Sequence, residues 1–117
     1  MFGKTMNENV DVEISVQDVS QRLNQRQEML LLDCREQHEY DVARIEDGVL
    51  IPMNEIPDRV SEIESFRDKP IVVFCHGGVR SLRVTHWLRE QGFANSQSMA
   101  GGIDAWSREI DPAVPTY

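Results

Sequence analysis

Ile71-Val72-Val73-Phe74 runs directly into Cys75-His76-Gly77-Gly78-Val79-Arg80-Ser81. Four consecutive β-branched and aromatic residues read as a buried strand, and this one delivers a cysteine into a glycine-bearing loop that carries an arginine. That is the layout of an activated thiol. The thiolate is the reactive form of cysteine, and its pKa falls from about 8.5 when backbone amides, a helix N-terminus or a cation face the sulfur. Gly77 and Gly78 allow the backbone to curl so that successive amides of residues 76–80 point inward as an anion nest. Ser81 is placed to cap the helix that follows, with its positive dipole end aimed back at Cys75.

Outward from this loop, strand and helix alternate. Residues 10–14 alternate as a short strand, and Ser15-Val16-Gln17-Asp18 reads as a capping box for a helix with Val16, Val19 and Leu23 on one face. Residues 29–32 are a second apolar run leading into Asp33-Cys34-Arg35, followed by a short polar helix over 36–43. A third strand over 49–51 is closed by Pro52, and Asn54 is placed to cap a helix carrying Ile56, Val60 and Ile63. After the cysteine loop, a helix over 81–91 stops at Gly92. Residues 96–99 form a last strand, and Ala100-Gly101-Gly102 turns into a helix carrying Ile103, Trp106 and Ile110, ended by Asp111-Pro112. This order implies an α/β domain with a mostly parallel central sheet of about five strands and helices on both faces. In such sheets ligands sit beyond the carboxyl ends of strands, where Cys75 falls. Residues 1–9 carry no periodic apolar signal and read as a flexible N-terminal segment, leaving 10–117 as a single domain.

Composition narrows the function classes. With 117 residues, of which 40% are hydrophobic, the chain fits one domain. No run approaches the roughly 18 apolar residues of a membrane span. A formal charge of −8 argues against nucleic acid or an anionic membrane as partner, so an anionic substrate has to be drawn by the local loop. The two cysteines, Cys34 and Cys75, lack the spacing of a disulfide framework or zinc knuckle and suit a reducing, cytoplasmic setting. His38, His76 and His86 form no metal motif, and the four-residue spacing of Cys34 and His38 has no further ligands, so neither metal nor cofactor is expected. Trp87 and Trp106 read as core anchors, and Arg83, His86 and Glu90 as a solvated helix face.

Four segments carry a family likeness: Leu31-Leu32-Asp33-Cys34-Arg35-Glu36 with Glu39-Tyr40, Leu50-Ile51-Pro52-Met53, the Cys75 to Ser81 loop, and Gly101-Gly102-Ile103-Asp104-Ala105-Trp106. In this order they resemble the rhodanese homology family over residues 14–106. The likeness implies a rhodanese-like three-layer α/β/α domain and a sulfurtransferase activity. Residues 110–117 are similar to the tail of rhodanese domains fused to adenylating enzymes that charge sulfur-carrier proteins. Two departures stand out. Residues 44–49 replace the family's common His-Ile-Pro-Gly-Ala turn, and Cys34 stands where valine is frequent.

The resemblance implies that Cys75 is the nucleophile, taking a sulfane sulfur from thiosulfate or a related anionic donor and passing it, as a persulfide, to cyanide or to a thiol or sulfur-carrier protein acceptor. His76, Gly77, Gly78, Val79, Arg80 and Ser81 would form the substrate-binding loop, with Arg80 orienting the loop or the donor as a bidentate group and His76 touching substrate. Asp33, Arg35 and Glu39 are expected to form a supporting ion-pair network. Cys34 reads first as a small core residue and second as a thiol that resolves the Cys75 persulfide. The six-residue span Cys75-x-x-Gly78-x-Arg80 bears on the chemistry, since related phosphatases of this fold use a loop one residue longer that makes room for phosphate. The shorter loop favours sulfur over phosphoryl transfer. Two competing classes are a non-enzymatic binding or sulfur-relay module, whose members usually lack the cysteine, and a phosphatase or arsenate reductase.

Overall fold

The computed structural model describes residues 10–117, so the segment 1–9, expected to be flexible, lies outside the described residues. Five strands, β1 (Glu13–Ile14), β2 (Leu30–Asp33), β3 (Val49–Leu50), β4 (Ile71–Phe74) and β5 (Ser96–Met99), form one sheet in the order β1-β5-β4-β2-β3. Every neighbouring pair is parallel. Parallel pairing requires a crossover between successive strands, and the chain supplies four with α1 (Val16–Asn24), α2 (Gln37–Val42), α3 (Ile56–Arg59) and α4 (Val79–Glu90); α5 (Gly102–Glu109) follows the last strand.

The sheet divides the interior into two cores. On one face Leu31, Val72 and Phe74 meet Val16 and Val19 of α1 and Ile103 and Trp106 of α5. On the other, Leu30, Leu32, Ile71 and Val73 meet Ile56 and Ile63 and the α4 residues Val84 and Leu88. All residues of β2 and β4 are buried, which is why both strands are unbroken apolar runs up to Asp33 and Phe74. Cys34 and Cys75 sit at the carboxyl ends of these two strands and belong to the second core.

β5 is built differently. All four of its residues are buried although three are polar. Two of the three polar side chains are paired, the Gln97 amide donating to Asp11 O at 2.9 Å and Ser98 Oγ lying 2.7 Å from Ser81 Oγ, while Ser96 Oγ is buried without a hydrogen-bond partner. Pairing with β4 and β1, rather than intrinsic propensity, holds this strand.

Two helix starts differ from the sequence-based expectation. Ser15 does cap α1, accepting from the Asp18 N–H at 3.1 Å; reciprocal use of a side chain appears instead at α2, where Glu36 N–H donates to Glu39 Oε1 at 3.0 Å. Asn54 caps nothing. It lies within a 3-10 turn, Met53–Glu55, followed by the single α turn of α3 and a second 3-10 stretch, Val60–Phe66. Pro57 in the first turn of α3 cannot donate a backbone hydrogen bond, so a regular helix does not run back through Asn54. Ile56 and Ile63 still reach the core.

Candidate active site

Cys75 ends β4 with 1% of its surface exposed. The chain leaves the strand and turns at Gly78, whose φ of +113° is open to glycine and strained for any other residue. α4 therefore begins at Val79, two residues earlier than expected. This places Ser81 inside the first turn rather than at the cap, and there both its backbone and its hydroxyl turn to the sulfur. Gly78 N–H donates to Cys75 Sγ at 3.1 Å, Ser81 N–H at 3.4 Å, and Ser81 Oγ lies 3.4 Å from Sγ. Ser81 Oγ also donates to Gly78 O at 3.2 Å and lies 2.7 Å from Ser98 Oγ, so its hydroxyl is shared among the loop, β5 and the sulfur. The amides of His76, Gly77, Val79 and Arg80 do not reach Sγ and have no acceptor among the described residues.

The loop is fixed from outside by the start of α5. Ile103 N–H donates to Cys75 O at 2.8 Å and Asp104 N–H to His76 O at 3.1 Å. These are first-turn amides with no acceptor in their own helix, so the cysteine loop satisfies them while they hold it. The approach is possible because Gly101 and Gly102 take positive φ, +79° and +61°. A Cβ on Gly102 would stand 2.5 Å from Cys75 O and closer still to His76 O. From the sequence, this glycine pair was legible only as a turn.

The charges pair differently from expectation. Arg80 grips the Glu39 carboxylate with two bonds, 2.7 and 3.0 Å. It thus orients the loop against α2. Asp33 and Arg35 form a separate buried pair, with Arg35 Nε and Nη2 donating to the two Asp33 oxygens at 2.9 and 2.7 Å. The link between the two pairs is Tyr117, which the sequence reading did not single out. Its hydroxyl accepts from Arg35 Nη1 at 3.0 Å and donates to Glu39 Oε2 at 2.9 Å. Its ring meets His76 edge-on with centroids 4.3 Å apart. The one signal for it was an aromatic with a polar tip in a tail otherwise rich in proline and small residues. The Arg80 guanidinium holds the Glu39 carboxyl down at about 2, and Glu39 in turn keeps Arg80 charged. Since these charges cancel, the attraction of the loop for an anion rests on its free amides.

The ionisation of Cys75 also has an unexpected source. Its thiol is lowered to about 4, first by hydrogen bonding from the Cys34 thiol and then by the Ser81 hydroxyl and the Ser81 and Gly78 amides, all working against burial. Cys34 moves the other way: the neighbouring Cys75 sulfur, followed by burial, pushes it far up, so it stays protonated. The two cysteines therefore act as a thiolate and its thiol donor. At about pH 5, alkylation of Cys75 by iodoacetamide should still run at its plateau rate, because the thiolate form persists down to about 4. In Cys34→Val the decline should set in at a higher pH than in wild type, the sign expected when a donor to the anion is removed. Coincident pH profiles for the two proteins would show that Cys34 has no part in the ionisation.

Comparison with known proteins adds to this geometry. The Rhodanese-like domain model matches residues 15–109. A sulfurtransferase of Allochromatium vinosum is 37% identical over 102 residues, which cover 87% of this chain and 94% of that protein. The Arabidopsis thaliana protein "Adenylyltransferase and sulfurtransferase MOCS3" is 29% identical over 118 residues, covering 89% of this chain but 25% of the relative, so the chain spans a quarter of its length. Among solved structures, a rhodanese-related protein of Thermoplasma volcanium superposes with a TM-score of 0.77 at 28% identity, covering 92% of this chain and all of that one.

Proposed function

The chain belongs to the rhodanese-like domain family, and from that membership we propose that it is a sulfurtransferase that carries a sulfane sulfur as a persulfide on Cys75. The observation that carries this reading is the Cys75 sulfur held by the Gly78 and Ser81 amides at 3.1 and 3.4 Å beside four amides with no acceptor of their own. A thiolate already ionised at neutral pH needs no separate base.

In the first half-reaction the Cys75 thiolate attacks the outer sulfur of thiosulfate, the S–S bond of the donor breaks, and sulfite leaves with the electron pair. The persulfide carries its charge on the new outer sulfur. The amides of residues 76, 77, 79 and 80 are the groups available to hold that charge, each such donor contributing on the order of 3 kcal/mol to a charge in a water-poor site. In the second half-reaction cyanide, a thiol or a protein acceptor takes the outer sulfur and restores the Cys75 thiolate. A sulfur-carrier protein is the proposed cellular acceptor, on the similarity to a relative named both adenylyltransferase and sulfurtransferase. Two free thiols fit a reducing compartment such as the cytoplasm. No helix among the described residues is long and apolar enough to cross a membrane.

Intact mass after incubation with thiosulfate tests the reading. A gain of one sulfur atom, lost on treatment with a reductant, is expected. An unchanged mass with Cys75 still open to alkylation would remove thiosulfate as the donor. Turnover of a generic phosphate ester faster than thiosulfate would overturn sulfur transfer itself.

A further inference from the structure

Resting on the persulfide reading, we propose that Cys34 is a resolving thiol: when no acceptor is present it attacks the Cys75 persulfide, releases hydrosulfide, and leaves a Cys34–Cys75 disulfide.

The argument starts from register. β2 and β4 pair from Leu30 with Ile71 through Asp33 with Phe74, and the ladder continues one step further because Cys34 N–H donates to Phe74 O at 3.0 Å. The next residues in this register are Cys34 and Cys75. Side chains alternate along a strand, so both cysteines share the face of Leu32 and Val73, in the same core. Neighbouring strands lie about 4.7–4.9 Å apart. That falls within the roughly 4.4–6.8 Å over which two Cα atoms accept a disulfide. Cys34 is fully buried at 0% exposure, and Cys75 is at 1%. Among the described residues these are the two free thiols, so Cys75 is the one other thiol available to Cys34.

The step balances without an added oxidant. The Cys34 sulfur bonds to Cys75 Sγ, the bond from Sγ to the outer sulfur breaks, and the Cys34 proton leaves with the outer sulfur as hydrosulfide. The outer sulfur is reduced from the sulfane to the sulfide level while the two thiols are oxidised to a disulfide. A dithiol reductant returns the pair to its starting state. The same geometry also explains why Cys34 stays silent before loading. Hydrogen bonding to Cys75 Sγ is the first cause of its raised pKa, followed by burial and then by the charge on that sulfur. Persulfide formation moves that charge outward to the new sulfur, which frees Cys34 to act as a nucleophile.

The test uses the full chain, loaded with thiosulfate, freed of excess donor and left without acceptor. Wild type should release one equivalent of hydrosulfide as its mass falls from one added sulfur to two hydrogens below the dithiol, with a peptide joining Cys34 to Cys75 that dithiothreitol separates. Cys34→Val, a swap for the residue frequent at this position in the family, should keep the added sulfur, with hydrosulfide release slowed at least about tenfold. Persulfide that lasts equally long in both proteins, with no joined peptide, would overturn the proposal. A second arm needs neither a variant nor a persulfide. Glutathione disulfide should form a mixed disulfide at Cys75 that Cys34 displaces, releasing glutathione and giving the same joined peptide. If thiosulfate adds no sulfur but this arm gives the joined peptide, thiosulfate is removed as the donor and the resolving role stands. If sulfur is added but neither arm joins the two residues, the resolving role fails and sulfur transfer stands.

Discussion

Cys75→Ala and Cys75→Ser are expected to lower sulfur transfer from thiosulfate to cyanide by on the order of 10³-fold or more, and to abolish the gain of sulfur on the protein. Serine tests the point more sharply, because it keeps the side-chain size and the bonds from Gly78 and Ser81. Together with the Cys34 thiol, the largest contributor, those donors bring the Cys75 thiol down to about 4. A hydroxyl starts so much higher that the same donors leave it protonated, and oxygen cannot form the persulfide on which the second half-reaction depends. Cys34 cannot stand in for the missing sulfur, since it is fully buried. Steady-state rates with thiosulfate and cyanide, read beside intact mass, decide the matter. Transfer retained in either variant would sink the mechanism.

Gly102→Ala should be the most damaging single methyl group in the chain. Two costs add. A positive φ of +61° is unfavourable for alanine by about 1–2 kcal/mol. The new Cβ would also lie 2.5 Å from Cys75 O, a distance that real Cβ atoms do not adopt. Both opposing atoms are backbone carbonyls, so relief requires α5 to move off the loop and give up the bonds from Ile103 and Asp104. A loss of about 3 kcal/mol or more is expected, seen as a fall in Tm of on the order of 10 °C. Gly77→Ala is the matching control, because a Cβ there meets nothing within 4 Å. It should melt within about 0.5 kcal/mol of wild type. Equal melting temperatures for the two variants would show that the Gly102 contact does not constrain the loop.

What was legible in the sequence follows from how local each cause is. β4 could be read from four apolar residues, because burial on both faces leaves no polar position in the strand. The alternation of strands and helices gave the layers in the same way. The pairing of charges was not legible: Arg80 and Glu39 are 41 positions apart, and nothing in either segment says that Arg35 would take Asp33 and leave Glu39 to the loop. Ser81 was read as a cap because serine before an apolar run usually is one. The deciding fact, a glycine that starts the helix earlier through a positive φ, is a backbone choice that the residue letter permits without requiring. The irregular path from Met53 to Phe66 does not show in the spacing of Ile56, Val60 and Ile63, because the step of four falls across the α turn and the step of three within the 3-10 stretch that follows. Cys34 was read as a core residue, and it is one; its contact with Cys75 depends on β2 lying beside β4 in the sheet.

The bonds from Ile103 and Asp104 into the cysteine loop carry a consequence for the order in which the protein is made. Synthesis runs from the N-terminus, and the nucleophile emerges well before the helix that fixes its carbonyl. Until residue 104 has left the ribosome and docked, the nascent polypeptide carries Cys75 without its clamp, and Ser98, the partner of Ser81, is itself among the late arrivals. The Cys75 loop is thus clamped only after residues 98–104 have emerged and docked, and until then the nascent polypeptide carries it without those bonds.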